Sequence, residues 1–189
     1  MDSPFVAAVF GLMGSGKSRR ARALAEATGS VYISSDITRK QMANVALTER
    51  AESSFGEGIY SPEFTHKVYQ EMLKRASASI QQDRSAVLDA TYSKRRYRDQ
   101  LRETFSGWGI PLFLFFVDTP EEVIRQRLLR REQKKVISDG RLDVFPQHKE
   151  GFEFPEEDEA VIRVSGDKGV DVAVSEMVAI IKGALGHQR

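Results

Sequence analysis

The sequence predicts an α/β fold of three layers, with a mainly parallel five-stranded sheet covered by helices on both faces. Three observations predict it. Short runs that are apolar on both faces recur along the chain, segments of helical period separate them, and no internal repeat or low-complexity block interrupts the alternation. A strand buried on both faces reads as a continuous apolar run, and parallel neighbours need a crossover element, connected in the right-handed sense. The 189 residues, 41% hydrophobic and 29% charged, suffice for one sizeable core and leave little for a second, so one domain over 1–189 is expected. The 28 basic and 27 acidic side chains leave a net +1, which gives no reason to expect a nucleic-acid or membrane coat. The lack of cysteine excludes a disulfide scaffold, thiolate catalysis and Cys-ligated metal. With no apolar stretch longer than 110–117 and no basic secretory start, a cytoplasmic location is expected.

Each element has its own signal. Phe5–Phe10 is apolar throughout and reads as a central strand, and a helix follows over 17–27 with Gly29 supplying its left-handed stop. Val31–Ser34 is a second strand and 37–45 a short helix; 48–60 has no clear period and reads as a loop or broken helix. Ser61 can cap the next helix, Pro62 suits its first position and Glu63 complements its dipole. Phe64, Val68, Met72, Ala76 and Ile80 then recur every four residues as one buried stripe. Ala86–Leu88 is a third strand, 95–105 a helix and Leu112–Val117 a fourth strand. Thr119 and Glu122 flank Pro120 as a capping box for a helix running to Gln133. The stretch 134–158, with Gly140, Pro146, Gly151 and Pro155, reads as irregular; Val161–Val164 is the last strand and 170–185 a closing amphipathic helix. In such sheets ligands bind beyond the carboxyl ends of the strands.

Directly after the first strand stands Gly11-Leu12-Met13-Gly14-Ser15-Gly16-Lys17-Ser18, a full G-x-x-x-x-G-K-[ST] match. The glycines let backbone amides turn inward around a phosphate, and the following helix adds its positive N-terminus. Gly11, Met13, Gly14, Ser15, Gly16, Lys17 and Ser18 are therefore the candidate nucleotide-binding residues, with Lys17 on the β- and γ-phosphates of ATP and Ser18 on Mg²⁺. Motor and AAA-type ATPases pair this loop with consecutive acids after a strand. Here Asp89 precedes Ala90 and Thr91, and Asp118 precedes Thr119 and Pro120. The N-K-x-D guanine signature is absent as well, so a small phosphotransferase moves forward.

Asp36 follows the second strand, and Arg39 lies three residues on. On a helix the two share a face and could take a hydroxyl proton and clamp an anion; Asp36 could equally be a helix cap. Asp89 ends the third strand, with Thr91 beyond it. Lys94-Arg95-Arg96-Tyr97-Arg98 reads either as a solvated face or as a phosphate-backbone surface with a stacking tyrosine. Arg125–Lys135 holds six basic residues, with Arg127 and Arg131 on one helix face, and Glu150–Glu159 holds six acids that could rest against that basic helix. His66, His148 and His187 have no metal-ligand spacing and read as surface or helix residues.

The loop Gly11–Ser18, Asp36 with Arg39, Asp89-x-Thr91 and Arg127-Leu128-x-x-Arg131, in that order, resemble the small P-loop kinase group. That group, nucleoside-monophosphate-kinase-like in fold, includes polynucleotide 5′-hydroxyl kinases, gluconate kinases, zeta-type toxins and the kinase-like domain fused to aminoglycoside phosphotransferase-like domains. The resemblance implies an ATP- and Mg²⁺-dependent kinase for a hydroxyl acceptor. Asp36 would be the general base, Arg39 a phosphate contact, Asp89 a residue of the acceptor pocket or magnesium shell, and Thr91 a neighbour of the substrate. It also implies a lid over about 132–160, served by Arg131 or Arg127, and an adenine site around 164–168. The acceptor stays open between a small molecule and a nucleic-acid 5′ end, and a nucleotide-dependent switch or zeta-like toxin is the reading from another class.

Overall fold

The computed structural model describes residues 3–46, 56–133 and 142–186. Five strands, β1 (Val6–Phe10), β2 (Val31–Ser34), β3 (Ala86–Asp89), β4 (Leu112–Asp118) and β5 (Ile162–Ser165), form one all-parallel sheet in the order β2-β3-β1-β4-β5. Each crossover carries helix. These are α1 (Lys17–Thr28), α2 (Ser35–Met42) with α3 (Pro62–Ile80), α4 (Arg95–Ser106), then α5 (Glu121–Gln133) with α6 (Phe145–Glu150); α7 (Val170–Gly186) closes the chain.

The period-2 geometry of β1 divides the core. Val6, Ala8 and Phe10 face Val68, Met72 and Ala76 of α3, Leu101 and Phe105 of α4, and Leu128 of α5. Phe5, Ala7 and Val9 face Ala21 and Leu24 of α1 with Met177 and Ile181 of α7. The strands are buried from both sides because helices cover both sides. At the start of α3 the Ser61 hydroxyl accepts the Phe64 amide at 3.1 Å, with Pro62 in the first turn, as the sequence predicts. Among the described residues no helix is long and apolar enough to cross a membrane.

Three expectations change. The second helix begins at Ser35, so Asp36 lies within its first turn and Ser34 occupies the cap position. Of the stretch 134–158, expected to be irregular, 134–141 lies outside the described residues, and the remainder is partly ordered. Phe145 and Phe152 are buried in the main core, and α6 gives the stretch a helix. Among the described residues the acids of this stretch pair at α4 and not at α5. Glu153 pairs with Lys94, Glu156 and Asp158 with Arg95, and Glu159 with Arg98 and Arg102, all at α4.

The centre of that contact is Arg98. Its Nε and Nη2 donate to the two oxygens of Glu159 at 2.6 Å each, and Nη1 donates to the carbonyls of Tyr92 and Glu153. Both side chains of the pair are fully buried. Such a pair tolerates loss of one partner poorly, because the remaining charge stays buried and unmatched. Glu159→Ala is therefore expected to lower unfolding stability by about 3–5 kcal/mol in a urea titration, whereas Glu159→Gln, which keeps an acceptor, costs less.

Candidate active site

The loop between β1 and α1 is shaped by backbone geometry. Gly14 and Gly16 sit at φ +76° and +90°, left-handed values that disfavour side chains. A Cβ on Gly16 would stand 2.8 Å from Arg20 Nη1 and 3.3 Å from Arg127 Nη1. The Ser15 amide donates to the Leu12 carbonyl at 3.1 Å and closes the turn. The Ser15 carbonyl accepts from the Thr119 hydroxyl at 3.0 Å and from Arg127 Nη1 at 2.9 Å, and the Gly16 carbonyl accepts from Arg20 Nη1 at 3.3 Å. In a planar trans peptide each carbonyl points opposite to the next residue's N–H. Holding these two carbonyls aside therefore turns the Gly16 and Lys17 amides the other way, beside the N-terminus of α1, where anions are favoured. The Ser15 hydroxyl is buried without a hydrogen-bond partner, an unmet polar atom within the loop.

Parallel register brings three strand ends together, with Val9 and Ser34 both level with Asp89. Asp89 is buried; its Oδ1 accepts from Ser18 Oγ at 3.2 Å and its Oδ2 from the Tyr32 hydroxyl at 2.6 Å. Burial pushes its pKa up, against the pull of Lys17 and the two hydroxyls. Burial likewise pushes the Lys17 ammonium down, opposed by Asp89 and Asp36 and reinforced by Arg131. Lys17 Nζ donates to the Leu12 carbonyl at 3.4 Å. Asp36 is exposed at the head of α2, close enough for its charge to act on both Lys17 and Asp89. The structure thus brings together Lys17, Ser18, Asp36, Asp89 and Arg131.

Other expected site residues have different surroundings. Arg39 is buried and turned toward α3, donating to the Ile59 carbonyl and to Thr65 Oγ1 at 3.2 Å, with its guanidinium 5.0 Å from the centre of the Tyr60 ring. It braces the turn before α3. Thr91 shares a 2.9 Å hydrogen bond with the Tyr69 hydroxyl, which also accepts the Tyr92 amide. Arg127 supports the loop from outside, its Nη2 reaching the Gly166 carbonyl at 2.9 Å. The basic run 94–98 is not a free phosphate surface. Arg98 is buried, Arg95 is paired, and Tyr97 is buried edge-on against Tyr69 at 4.6 Å.

Three contributors were missed in the sequence reading. Tyr32 orients Asp89 from two residues before the end of β2. Arg20 holds the Gly16, Gly166 and Lys168 carbonyls. His148, read as a surface or helix residue, is buried on α6 within reach of the Lys17 charge, and burial takes its pKa down to about 4. The basic first half of the loop helix and Pro146 were the available signals for the last two.

For Mg²⁺, Ser18 and Asp89 supply two hard oxygen donors side by side. Among the described residues no group of three His, Cys, Asp or Glu side chains could hold a metal alone. That donor set fits an ion that completes its shell with phosphate oxygens and water.

A sequence family described as AAA domain matches residues 6–155. Among curated proteins, a gluconokinase of Gluconobacter oxydans is 37% identical over 93 residues, which is 49% of this chain and 48% of that one. An uncharacterized protein of Mycobacterium tuberculosis is 28% identical over 126 residues, 67% of this chain and 25% of that one. The matches thus span about half and a quarter of these relatives' lengths. A solved gluconokinase of Sinorhizobium meliloti superposes with TM-score 0.68 at 22% identity, covering 99% of this chain and 98% of that one. The Mycobacterium tuberculosis APS kinase, solved with AMPPNP and APS, gives 0.70 at 17%, covering 96% and 99%. At those identities the structures speak for the fold alone, which is that of small P-loop kinases. The family's name belongs to an ATPase class that the sequence reading set aside, and the consecutive acids are absent all the same: Asp89 precedes Ala90.

Two pH effects follow. If nucleotide binding needs Lys17 charged and Asp89 ionised, the acid limb of ATP affinity lies above the ordinary Asp range. The alkaline limb lies below the ordinary Lys range, a profile narrowed from both sides that titration across pH will show. His148 acts on stability. Between about pH 4 and 6.5 the unfolded chain binds a proton that the folded chain refuses, so stability rises with pH through that window. The contribution is about 3 kcal/mol, and His148→Gln is expected to remove it from the difference between pH 4 and 6.5 unfolding curves.

Proposed function

The chain belongs to the AAA domain family, and from that premise we propose that it is an ATP-dependent kinase transferring the γ-phosphoryl group to a hydroxyl of a small-molecule acceptor. The observation that carries this reading is the gathering of Lys17, Asp36 and Asp89 at adjacent strand ends beside a glycine-shaped phosphate loop. In this reading Asp36, an exposed carboxylate in the first turn of α2, accepts the proton. Asp89, tied to Ser18, is the oxygen pair that would hold Mg²⁺, which when bound shields the charge of the β- and γ-phosphates.

In the proposed reaction the acceptor oxygen attacks the γ-phosphorus in line, its proton passes to the Asp36 carboxylate, and the bond from phosphorus to the β–γ bridging oxygen breaks to leave ADP. Lys17 and Arg131 face the negative charge that spreads over the transferring group. Arg127 and Arg20 keep the loop amides directed. In this reading the base of the nucleotide would lie next to Gly16, Lys168 and Val170, and the cavity adjoining the loop supports that. The gluconokinase relative points to a sugar acid as the first acceptor to try. A cytoplasmic location fits a cysteine-free enzyme that consumes ATP.

Incubation with γ-labelled ATP·Mg²⁺ and a panel of D-gluconate, other sugar acids, sugars, nucleosides and 5′-hydroxyl oligonucleotides tests the reading. Label is expected on a small hydroxyl acceptor, and Asp36→Asn is expected to lower kcat by about 10²–10⁴-fold with the circular-dichroism spectrum preserved. Label confined to oligonucleotides, label on no acceptor, or full turnover by Asp36→Asn would contradict it.

A further inference from the structure

Arg20 is the fourth residue of α1 and is almost wholly buried, with an Nε that meets no acceptor. That is a costly place for a guanidinium. A helix N-terminus disfavours cations, and the first turn of α1 holds no acid to offset them. Burial, with the charges of Arg127 and Arg19, pushes the Arg20 pKa down. Among the described residues its hydrogen-bond partners are backbone carbonyls and not carboxylates. A buried charge balanced by dipoles alone is short of an anion, and the adjoining phosphate loop is where one would arrive.

Two loops are held by this one fork. Nη1 donates to the Gly16 carbonyl of the phosphate loop at 3.3 Å, and Nη2 donates to the carbonyls of Gly166 and Lys168, beyond β5, at 3.0 and 2.6 Å. Arg127 repeats the link in part: it reaches the Ser15 and Gly166 carbonyls, and the Lys168 carbonyl is reached by Arg20 and not by Arg127. The Lys168 ammonium is tied the other way, to Glu176 of α7 at 3.0 Å. Residues of both loops line one cavity of about 410 Å³: Gly16 and Arg20 from the first, Lys168, Gly169 and Val170 from the second, with Arg127 among those that α5 adds. The volume is that of a small-molecule site. A shift of either loop changes its shape, and Arg20 is the bond that keeps Gly16 and Lys168 in step.

Resting on the assignment of the loop as the nucleotide site, we propose that Arg20 is a positioning residue that couples the two halves of that site. Phosphate in the loop supplies the anion that the guanidinium lacks, and the strengthened clamp fixes the Gly166 and Lys168 carbonyls beside the cavity that takes the nucleoside. The coupling is reciprocal, so a nucleoside in the cavity tightens the hold on phosphate by the same factor. A merely structural residue would, when lost, weaken ATP and a bare triphosphate alike. A coupling residue changes how much the nucleoside adds.

Calorimetric titration of the full chain with a non-hydrolysable ATP analogue and with inorganic tripolyphosphate, each with Mg²⁺, reads that addition as a ratio of affinities. Arg20→Met, which keeps an unbranched stem and removes the fork, is expected to lower the ratio of ATP-analogue to tripolyphosphate affinity by about five- to tenfold. Arg20→Lys, which keeps the charge without the planar fork, is expected to recover tripolyphosphate affinity and leave the ratio low. Hydrogen exchange on the wild-type chain needs no variant: tripolyphosphate is expected to slow exchange of the amides of 166–170 by about tenfold. An unchanged ratio in Arg20→Met, a ratio restored by Arg20→Lys, or exchange at 166–170 indifferent to tripolyphosphate would overturn the proposal while leaving the nucleotide site in place. Failure of the wild-type chain to bind either ligand would overturn the nucleotide-site assignment and the proposal with it.

Discussion

Two peptide carbonyls, those of Ser15 and Gly16, are pinned by side chains from elsewhere in the chain, and the rest of the site depends on that. Thr119 comes from the end of β4, Arg127 from α5 and Arg20 from the next turn of α1. A glycine-rich loop is free to adopt many conformations, and its entropy cost on ordering is the largest of any residue composition. Three donors on two carbonyls select one of those conformations. The same two arginines reach the Gly166 carbonyl, so one set of bonds fastens the β1–α1 loop to the β5–α7 loop. Gly166 has its own reason to be glycine: a Cβ there would fall 1.6 Å from Thr119 Oγ1.

Charge distribution follows a second logic. The net charge of +1 conceals two populations of cations with different fates. Those of α4 are neutralised by the acidic segment 153–159, which closes over them with one wholly buried pair and several exposed ones. Among the described residues those of α1 and α5 at the cavity have no carboxylate in its lining; Arg20 and Arg127 hold loop carbonyls, and Arg19, Arg130 and Arg131 complete the basic wall. Because the acids are used at α4, the phosphate side of a neutral protein remains basic. The exposed pairs are worth little in stability.

Much of this was legible in the sequence because it is local. The strands announced themselves by apolar runs, α3 by Ser61-Pro62-Glu63, and the phosphate loop by its glycine spacing between strand and helix. Asp36 and Asp89 were legible from their places at strand ends. The parts that were not legible depend on partners far away in the chain. Arg98 meets Glu159 across 61 positions, which turns an apparent basic patch into a buried anchor. Arg39 shares a helix with Asp36 but finds the Ile59 carbonyl and Thr65, because α3 packs on that side. Spacing along a helix tells which residues share a face; it does not tell what that face meets.

If the tethered carbonyls set the phosphate-binding amides, Thr119→Val will weaken nucleotide binding. The substitution keeps shape and removes only the hydroxyl that donates to the Ser15 carbonyl. Thermal unfolding would confirm that the variant folds, and calorimetric titration with a non-hydrolysable ATP analogue and Mg²⁺ would give its affinity. Binding is expected to weaken by about five- to tenfold, the worth of one buried hydrogen bond transmitted to the loop. An affinity equal to that of the wild-type chain would contradict it.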